Sequence, residues 1–296
     1  MKDALLIVGA GYTGSRLASL AAEDGQHVVL LARNPTPQAG CQAVSADLDN
    51  ADSIDAALRA LDSRNLAWRI AWLAPPPKLD DGDIVPPDQR LKRLLSMLPF
   101  QPVRIVLAST SGVYGDHGGR AVCELTPPTP RTTRARARLG AEQTLLDWAE
   151  TRVSHVILRI AGIYGPGRLP LQALRDQQPI IDPAELGPGN RIHVDDLARA
   201  FLSALLHEKP PALINVCDGD HASSSQFTLS VADVAGLAPP PYISLAQAQE
   251  VFSPMRLSFI NESRLLDNSR LVHELGVSLA YANHRDGIRA ALADKR

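Results

Sequence analysis

The sequence predicts an α/β fold in which helices cover both faces of a parallel, doubly wound sheet. Short apolar runs without polar alternation, such as residues 4–8 and 27–31, are typical of strands that are buried on both faces. Segments whose apolar residues have helical spacing, such as residues 13–24 and 51–61, separate these runs. Because parallel strands are joined by right-handed crossovers, this alternation indicates βαβ units that share one sheet.

The alternation continues through the first half of the chain and then becomes irregular. Further strands are predicted at residues 69–74, 103–108, 155–160 and 213–219, and further helices at residues 88–98 and 131–150. Three consecutive prolines from Pro75 end the first of these strands, because proline lacks the N–H that a strand ladder requires. We expect a core over residues 1–163 and a smaller C-terminal lobe over residues 164–296, interleaved with returns to the core sheet.

The composition excludes several classes of protein. The chain has 296 residues, of which 45% are hydrophobic, and its formal net charge is −2, so neither general disorder nor affinity for nucleic acid is expected. Cys41, Cys123 and Cys217 lack the close spacing of a disulfide framework or a zinc site, and we expect no bound metal. No apolar run approaches the roughly 20 residues of a membrane helix. We therefore expect a cytoplasmic protein that does not bind membranes.

A glycine-rich loop directly follows the first predicted strand. Gly9, Gly11 and Gly14 form a G-x-G-x-x-G pattern that opens a predicted helix and precedes a second strand at the expected distance. The first glycine permits a tight turn, the second lets the backbone approach a diphosphate, and the third lets the helix pack close to the sheet. Free N–H groups at the start of the helix bind the anion. We therefore predict a dinucleotide site that includes Gly9, Gly11, Tyr12, Thr13 and Gly14.

The end of the second predicted strand indicates which dinucleotide is bound. An NAD site usually places Asp or Glu there to bind the ribose 2′-hydroxyl, but this sequence has Arg33. A guanidinium pairs well with a 2′-phosphate, so the sequence favours NADP, with NAD as the second choice. An ordinary solvated arginine is the alternative role of Arg33. Asp47 and Leu48 are predicted to contact the adenine, with a helix cap as the alternative role of Asp47.

Five separated segments follow one another in a recognisable order and spacing. They are GAGYTGSRLA, ADLDN, IVLASTSGVYGD, ILRIAGIYGPGR and RIHVDDLARA. In that order they resemble the extended short-chain dehydrogenases/reductases, of the kind called NAD-dependent epimerase/dehydratases. The resemblance covers the chain to about Leu206 and is weaker beyond it. It implies a Rossmann core, a C-terminal substrate lobe, association of two copies through core helices, and a catalytic Ser/Thr–Tyr–Lys group.

The resemblance places Thr110 at the catalytic Ser/Thr position, and the alternative is a strand-end hydroxyl that satisfies the backbone. The family's tyrosine and lysine positions fall on Arg134 and Arg138. Arginine is not deprotonated in proteins, so Arg134 cannot act as the acid or base that the tyrosine supplies. In this respect the sequence resembles the atypical, tyrosine-less branch of the superfamily, whose members are mostly of unknown activity.

The substituted positions also define a charged helix face. Arg134, Arg138 and Glu142 are four residues apart, so Arg138 can pair with Glu142, while the two arginines repel each other. A cofactor phosphate or an anionic substrate would relieve the repulsion, and a solvated basic face is the alternative. Arg138 can donate hydrogen bonds to a ribose, and it completes the predicted cofactor contacts together with Leu73 and Ala74.

Without the tyrosine, another group must move the proton. Tyr164 and His117 are the candidates, because each follows a predicted strand at the carboxyl edge of the sheet, where ligands bind. Histidine also titrates near neutral pH. A plain loop position is the alternative for each. We expect His193, Asp195 and Asp196 to be structural, at a helix start where acidic side chains favour the positive end of the helix.

Two functions are compatible with these features. The first is an NAD(P)-dependent oxidoreductase or epimerase-like protein that transfers a hydride to or from a sugar nucleotide or a small carbonyl or alcohol compound. Thr110 would hold the substrate oxygen. The second is a non-catalytic NADP(H) sensor that presents a surface to a protein partner, because loss of general acid–base catalysis costs about 10²–10⁴-fold in rate.

Overall fold

A seven-stranded sheet lies at the centre of the computed structural model, which describes residues 2–61, 66–77, 87–150 and 152–294. Every strand pairs in parallel with its neighbours, in the order β7-β6-β5-β4-β1-β2-β3. The strands are β1 (Lys2–Val8), β2 (His27–Ala32), β3 (Cys41–Ser45), β4 (Leu66–Trp72), β5 (Arg104–Thr110), β6 (Ser154–Ile160) and β7 (Leu213–Val216). This order confirms the predicted doubly wound sheet, in which the chain moves outward from β1 in both directions.

Helices connect and cover the strands. Those in the described ranges are α1 (Tyr12–Glu23), α2 (Ala51–Arg59), α3 (Gln89–Met97), α4 (Thr133–Ala149), α5 (Leu171–Arg175), α6 (Val194–Leu206), α7 (Ser224–Val234), α8 (Leu245–Val251), α9 (Pro254–Ile260) and α10 (His284–Ala293). Short 3₁₀ segments occur at Ser111–Tyr114 and Pro183–Glu185, and a π-helical turn at Arg270–Glu274. No helix within the described ranges combines the length and the apolar character that a membrane crossing needs.

Two apolar clusters lie on opposite faces of the sheet, which explains why the strands lack polar alternation. In β1, Leu6 belongs to the cluster that packs against α2, α3 and α4, and Leu5 belongs to the cluster that packs against α1 and α6. Leu145 of α4 and Phe201 of α6 are both fully buried in these clusters. In the central strands, residues that point to either face are therefore covered by helices.

The ends of the elements are set by polar contacts that the apolar pattern does not show. The helix predicted from residue 131 begins at Thr133, because the Thr132 hydroxyl accepts a hydrogen bond from the Ala135 N–H at 3.2 Å. Helix α2 is capped by Asn50, which accepts from the Ser53 N–H at 3.1 Å. The helix-cap role considered for Asp47 is therefore excluded.

The C-terminal half adds short parallel pairs of strands to the core. Gly162–Tyr164 pairs with Arg191–His193, Ile180–Ile181 with Tyr242–Ile243, and Ala121–Val122 with Leu265–Leu266. His193 caps α6 by accepting from the Asp195 N–H at 3.2 Å, and the buried Asp196 accepts the N–H groups of Ala280 and Tyr281, each at 2.9 Å. These contacts confirm the structural role expected for this segment.

Candidate cofactor and substrate site

The glycine loop lies between β1 and α1, at the carboxyl edge of the sheet. Gly11 occupies the N-cap position of α1, and no side chain caps the helix there. Gly9 has a φ of +109°, and a Cβ at this residue would lie 2.8 Å from the Ala74 backbone nitrogen. A Cβ on Gly14 would overlap the carbonyl oxygen of Gly9. The chain therefore packs too closely for larger residues at Gly9 and Gly14, whereas the start of α1 at Gly11 stays open to an anion.

One cavity, of about 300 Å³, opens beside the loop and the ends of β2 and β3. It is lined by Gly9, Ala10, Gly11, Leu31, Ala32, Arg33, Asn34, Ala46, Asp47, Leu48, Asp49, Ala74, Pro75 and Arg90. Both acidic residues in this set are engaged: Asp49 accepts two hydrogen bonds from Arg90, at 2.7 and 2.5 Å, and Asp47 accepts from the Asp49 N–H at 3.0 Å. The Arg90 hydrogen bond lowers the pKa of Asp49. Arg33 is exposed, and no ion pair ties it to any described residue.

A second cavity, of about 390 Å³, continues from the loop across the carboxyl edge of the sheet. Its wall includes Gly9, Gly11, Tyr12, Thr13, Gly14, Leu73, Thr110, Arg134, Arg138 and Arg168. Three of its described lining residues are arginines and none is acidic, so the cavity is basic. Thr110 ends β5, and its oxygen accepts the Gly112 N–H at 3.2 Å. The Thr110 hydroxyl thus satisfies the backbone at the end of the strand, as the alternative prediction stated. Its proton stays free to donate a hydrogen bond to a ligand.

A third cavity, of about 340 Å³, is lined by residues from both halves of the chain. It shares Thr110, Arg134, Ile160 and Ala161 with the second cavity, so the two meet at these residues. The C-terminal half contributes Asn190, Arg191, Phe259, Glu262 and Arg264, among others. The Arg134 guanidinium lies 4.4 Å from the centre of the Phe259 ring, a cation–π distance. Arg134 is thus held at the junction of the two cavities.

Arg138 and Glu142 do not form the pair that their spacing allows. Arg138 donates hydrogen bonds to the carbonyl oxygens of Ala74 and Ala108, at 3.2 and 3.0 Å. Glu142 pairs instead with Arg159 of β6 at 2.8 Å, where both side chains are almost fully buried, and it also accepts the Ser109 hydroxyl. The Arg138 guanidinium is directed to these two carbonyl oxygens, so the buried Glu142 carboxylate is compensated by the buried cation of β6 instead.

The structure does not bring Tyr164 into the lining of the three cavities described above. Its ring is buried, with its centre 5.2 Å from the rings of His193 and of Phe227, and a Cβ on Gly287 would overlap its hydroxyl. The hydroxyl has no hydrogen-bond partner among the described residues, and burial raises its pKa far above the ordinary value. Its proposed role in proton transfer stays a prediction.

Tyr164→Phe tests that role directly. We expect the free energy of unfolding to stay unchanged or to rise by about 1–3 kcal/mol, because the change removes a buried hydroxyl that has no partner. Denaturant unfolding measures this effect, and cofactor binding should not change. Tyr114→Phe is the matched control and should destabilise the fold, because the Tyr114 hydroxyl donates to Asn215 Oδ1 at 2.8 Å. A folded Tyr164→Phe protein that loses catalytic turnover would support the proton-transfer role instead.

His117 also lies outside the lining of the three cavities. Its backbone N–H donates to the Ser263 carbonyl at 3.0 Å, and its Nε2 lies 3.1 Å from the Tyr114 carbonyl oxygen. Asp116 accepts the Ser263 N–H at 3.0 Å. This loop therefore holds the segment that carries Glu262 and Arg264 against the third cavity, and the role of His117 in proton transfer stays a prediction.

The comparisons with known proteins agree with this geometry. Residues 90–217 match the model of the NAD dependent epimerase/dehydratase family. Over these residues the chain is similar to that family. The match begins in α3 and ends just after β7, so it contains Thr110, Arg134 and most of the wall of the second cavity. This match supports an NAD(P)-binding, epimerase-like function for the segment.

Comparisons with individual proteins say less about function than the family model does. Protein YeeZ of Escherichia coli strain K12 is 30% identical over 186 residues, which are 63% of this chain and 61% of the length of YeeZ. A conserved protein of unknown function from Silicibacter pomeroyi DSS is 28% identical, with a TM-score of 0.78 over 99% of both chains. UDP-glucuronic acid 4-epimerase from Bacillus cereus, solved with UDP-glucuronic acid and NAD, is 22% identical, with a TM-score of 0.76 over 98% of both chains. At that identity the epimerase supports the fold alone.

Arg168 is the site residue that sequence reasoning missed. It follows the short strand Gly162–Tyr164, and it faces the glycine loop across the second cavity. The GPGR sequence after that strand could have indicated Arg168, because the two glycines before the arginine permit a close backbone turn.

Proposed function

We propose that this protein binds NADP(H) and transfers a hydride between the nicotinamide and an anionic carbonyl or alcohol compound, with sugar nucleotides as one class of substrate. The observation that carries the proposal is the junction of the two basic cavities at Thr110 and Arg134. A nicotinamide in the cavity beside the glycine loop would lie next to a substrate in the neighbouring cavity. That adjacency is what direct hydride transfer requires.

Thr110 and Arg134 would have different roles at this junction. Thr110 would hold the substrate oxygen by donating a hydrogen bond from its hydroxyl, without giving up the proton, since its own oxygen already accepts the Gly112 N–H. Arg134 would bind the substrate's negative charge, because it is exposed at the junction and no ion pair joins it to a described residue. The UDP-glucuronic acid of the Bacillus cereus epimerase complex is a ligand of this anionic kind.

A non-catalytic NADP(H) sensor is the second candidate, and one observation favours it. The described residues that line the second cavity include no His, Lys, Asp or Glu, and the hydroxyl of Tyr12 donates to the Pro166 carbonyl at 2.9 Å. No described side chain that lines the second cavity is thus a general acid or base that titrates near neutral pH. NADPH oxidation with a panel of sugar nucleotides, 2-oxo acids and aldehydes distinguishes the candidates, since only the enzyme consumes cofactor.

Arg33→Asp tests the choice of cofactor. Wild-type protein is expected to bind NADPH more tightly than NADH, because Arg33 lines the cavity without an ion pair to a described residue, while Asp47 and Asp49 are engaged by the protein. The substitution should weaken NADPH binding about 10–100-fold and NADH binding much less, since a hydrogen bond to a charged group contributes about 1.5–3 kcal/mol. Isothermal titration calorimetry measures both constants, with Arg175→Asp as an exposed control on α5. Equal affinity of the wild type for the two cofactors would contradict the assignment.

A further inference from the structure

The loop at residues 165–168 covers the glycine loop from the side of the C-terminal lobe. The Tyr12 hydroxyl donates to the Pro166 carbonyl at 2.9 Å, and the Arg168 N–H donates to the Gly165 carbonyl at 3.0 Å. Gly165 has a φ of +147°, and a Cβ there would lie 2.6 Å from the Tyr12 hydroxyl. A glycine is therefore required for the loop to approach the first turn of α1 this closely.

This approach fixes the position of the Arg168 guanidinium. Its central carbon lies 3.9 Å from the centre of the Tyr12 ring, so the two groups stack. Arg168 is exposed and forms no ion pair with any acidic side chain in the described ranges. It lines the same basic cavity as Gly11 and Thr13, where the N-terminus of α1 opens. A cation without an ion pair to a described residue thus lines the same cavity as the N-terminus of α1.

We propose that Arg168 binds the diphosphate of the dinucleotide, opposite the N-terminus of α1, and that Tyr12 is its positioning residue. The inference rests on the proposed dinucleotide binding, and it assigns one contact with the diphosphate to a residue in the C-terminal half of the chain. A diphosphate between the helix and Arg168 would receive backbone hydrogen bonds on one side and charge-assisted hydrogen bonds on the other. Because NADH and NADPH share the diphosphate, Arg168 contributes equally to both, unlike Arg33.

Arg168→Ala in the full-length protein tests the inference by calorimetry. Affinity for NADPH and for NADH should fall by the same factor, about 10-fold or more, because the charged contact is common to both. ADP-ribose, which contains the diphosphate, should lose affinity equally, and adenosine 2′-monophosphate, which lacks it, should bind as it does to the wild type. Arg175→Ala, another exposed arginine, is the control and should change nothing.

Tyr12 variants test the positioning role. Tyr12→Phe keeps the ring beneath Arg168 and should retain most of the affinity for ADP-ribose, whereas Tyr12→Ala should lose nearly as much as Arg168→Ala. Unchanged dinucleotide and ADP-ribose binding in Arg168→Ala would overturn this inference and leave the proposed function intact. A wild-type protein that binds neither NADPH nor NADH would overturn both.

Discussion

Arg134→Tyr combined with Arg138→Lys is expected to raise the rate of NADPH oxidation on sugar nucleotides and small carbonyl compounds by about 10²–10⁴-fold. The physical reason is proton transfer. A guanidinium keeps its proton, whereas a phenol beside a lysine can give up and regain one at the substrate oxygen. The junction of the cavities at Thr110 and Arg134 already provides the position that such a tyrosine would need.

The same pair of substitutions separates chemistry from binding. Loss of the Arg134 cation should raise KM for anionic substrates while kcat rises, because the charge that we propose binds the substrate is replaced by a group that can move a proton. Adding Thr110→Ala should remove the gain, since the hydroxyl that we propose holds the substrate oxygen is then absent. A double variant that binds NADPH and shows no gain on any substrate would contradict the predicted alignment of cofactor and substrate.

Asp218→Asn is expected to make the protein more stable at alkaline pH by several kcal/mol. Asp218 is almost fully buried, and its Oδ2 has no hydrogen-bond partner among the described residues. Burial, with the nearby charge of Asp220, raises the pKa of Asp218 to about 8, although the Asp220 N–H and Arg191 act in the opposite direction. Asparagine keeps the oxygen that accepts the Asp220 N–H at 3.0 Å and carries no charge to bury.

The sign of the pH dependence follows from proton binding. Between about pH 4 and pH 8 the folded protein holds a proton on Asp218 that the unfolded chain has released, so the wild type loses stability as pH rises. The slope is about 1.4 kcal/mol per pH unit, and it ends above the folded-state pKa. Asp218→Asn should remove this slope and match the wild type near pH 4.

Denaturant unfolding at several pH values measures the difference between the two proteins. Asp147→Asn, on the exposed face of α4, is the control and should keep the wild-type slope. A slope that is the same in Asp218→Asn and in the wild type would show that Asp218 is already ionised in the folded protein.

The sequence by itself determined the sheet and the glycine loop, because both depend on local patterns. Unbroken apolar runs such as residues 4–8 can only be buried on both faces, and the helix spacing between them then requires parallel connections. The spacing of Gly9, Gly11 and Gly14 predicted the loop beside which the first two cavities open. The prediction that Arg134 occupies the family's tyrosine position likewise came from counting along one helix.

Tertiary structure alone decided which polar groups meet. Glu142 pairs with Arg159 and not with Arg138, because β6 offers a buried cation across the sheet that helical spacing cannot show. Tyr164 follows a strand at the expected edge, yet its ring packs against His193 and Phe227 of the C-terminal half. Arg168 reaches the glycine loop through a contact with Tyr12, 156 residues earlier in the chain. Local sequence determines which helix, strand or loop carries a side chain. Burial and long-range packing decide which group that side chain contacts.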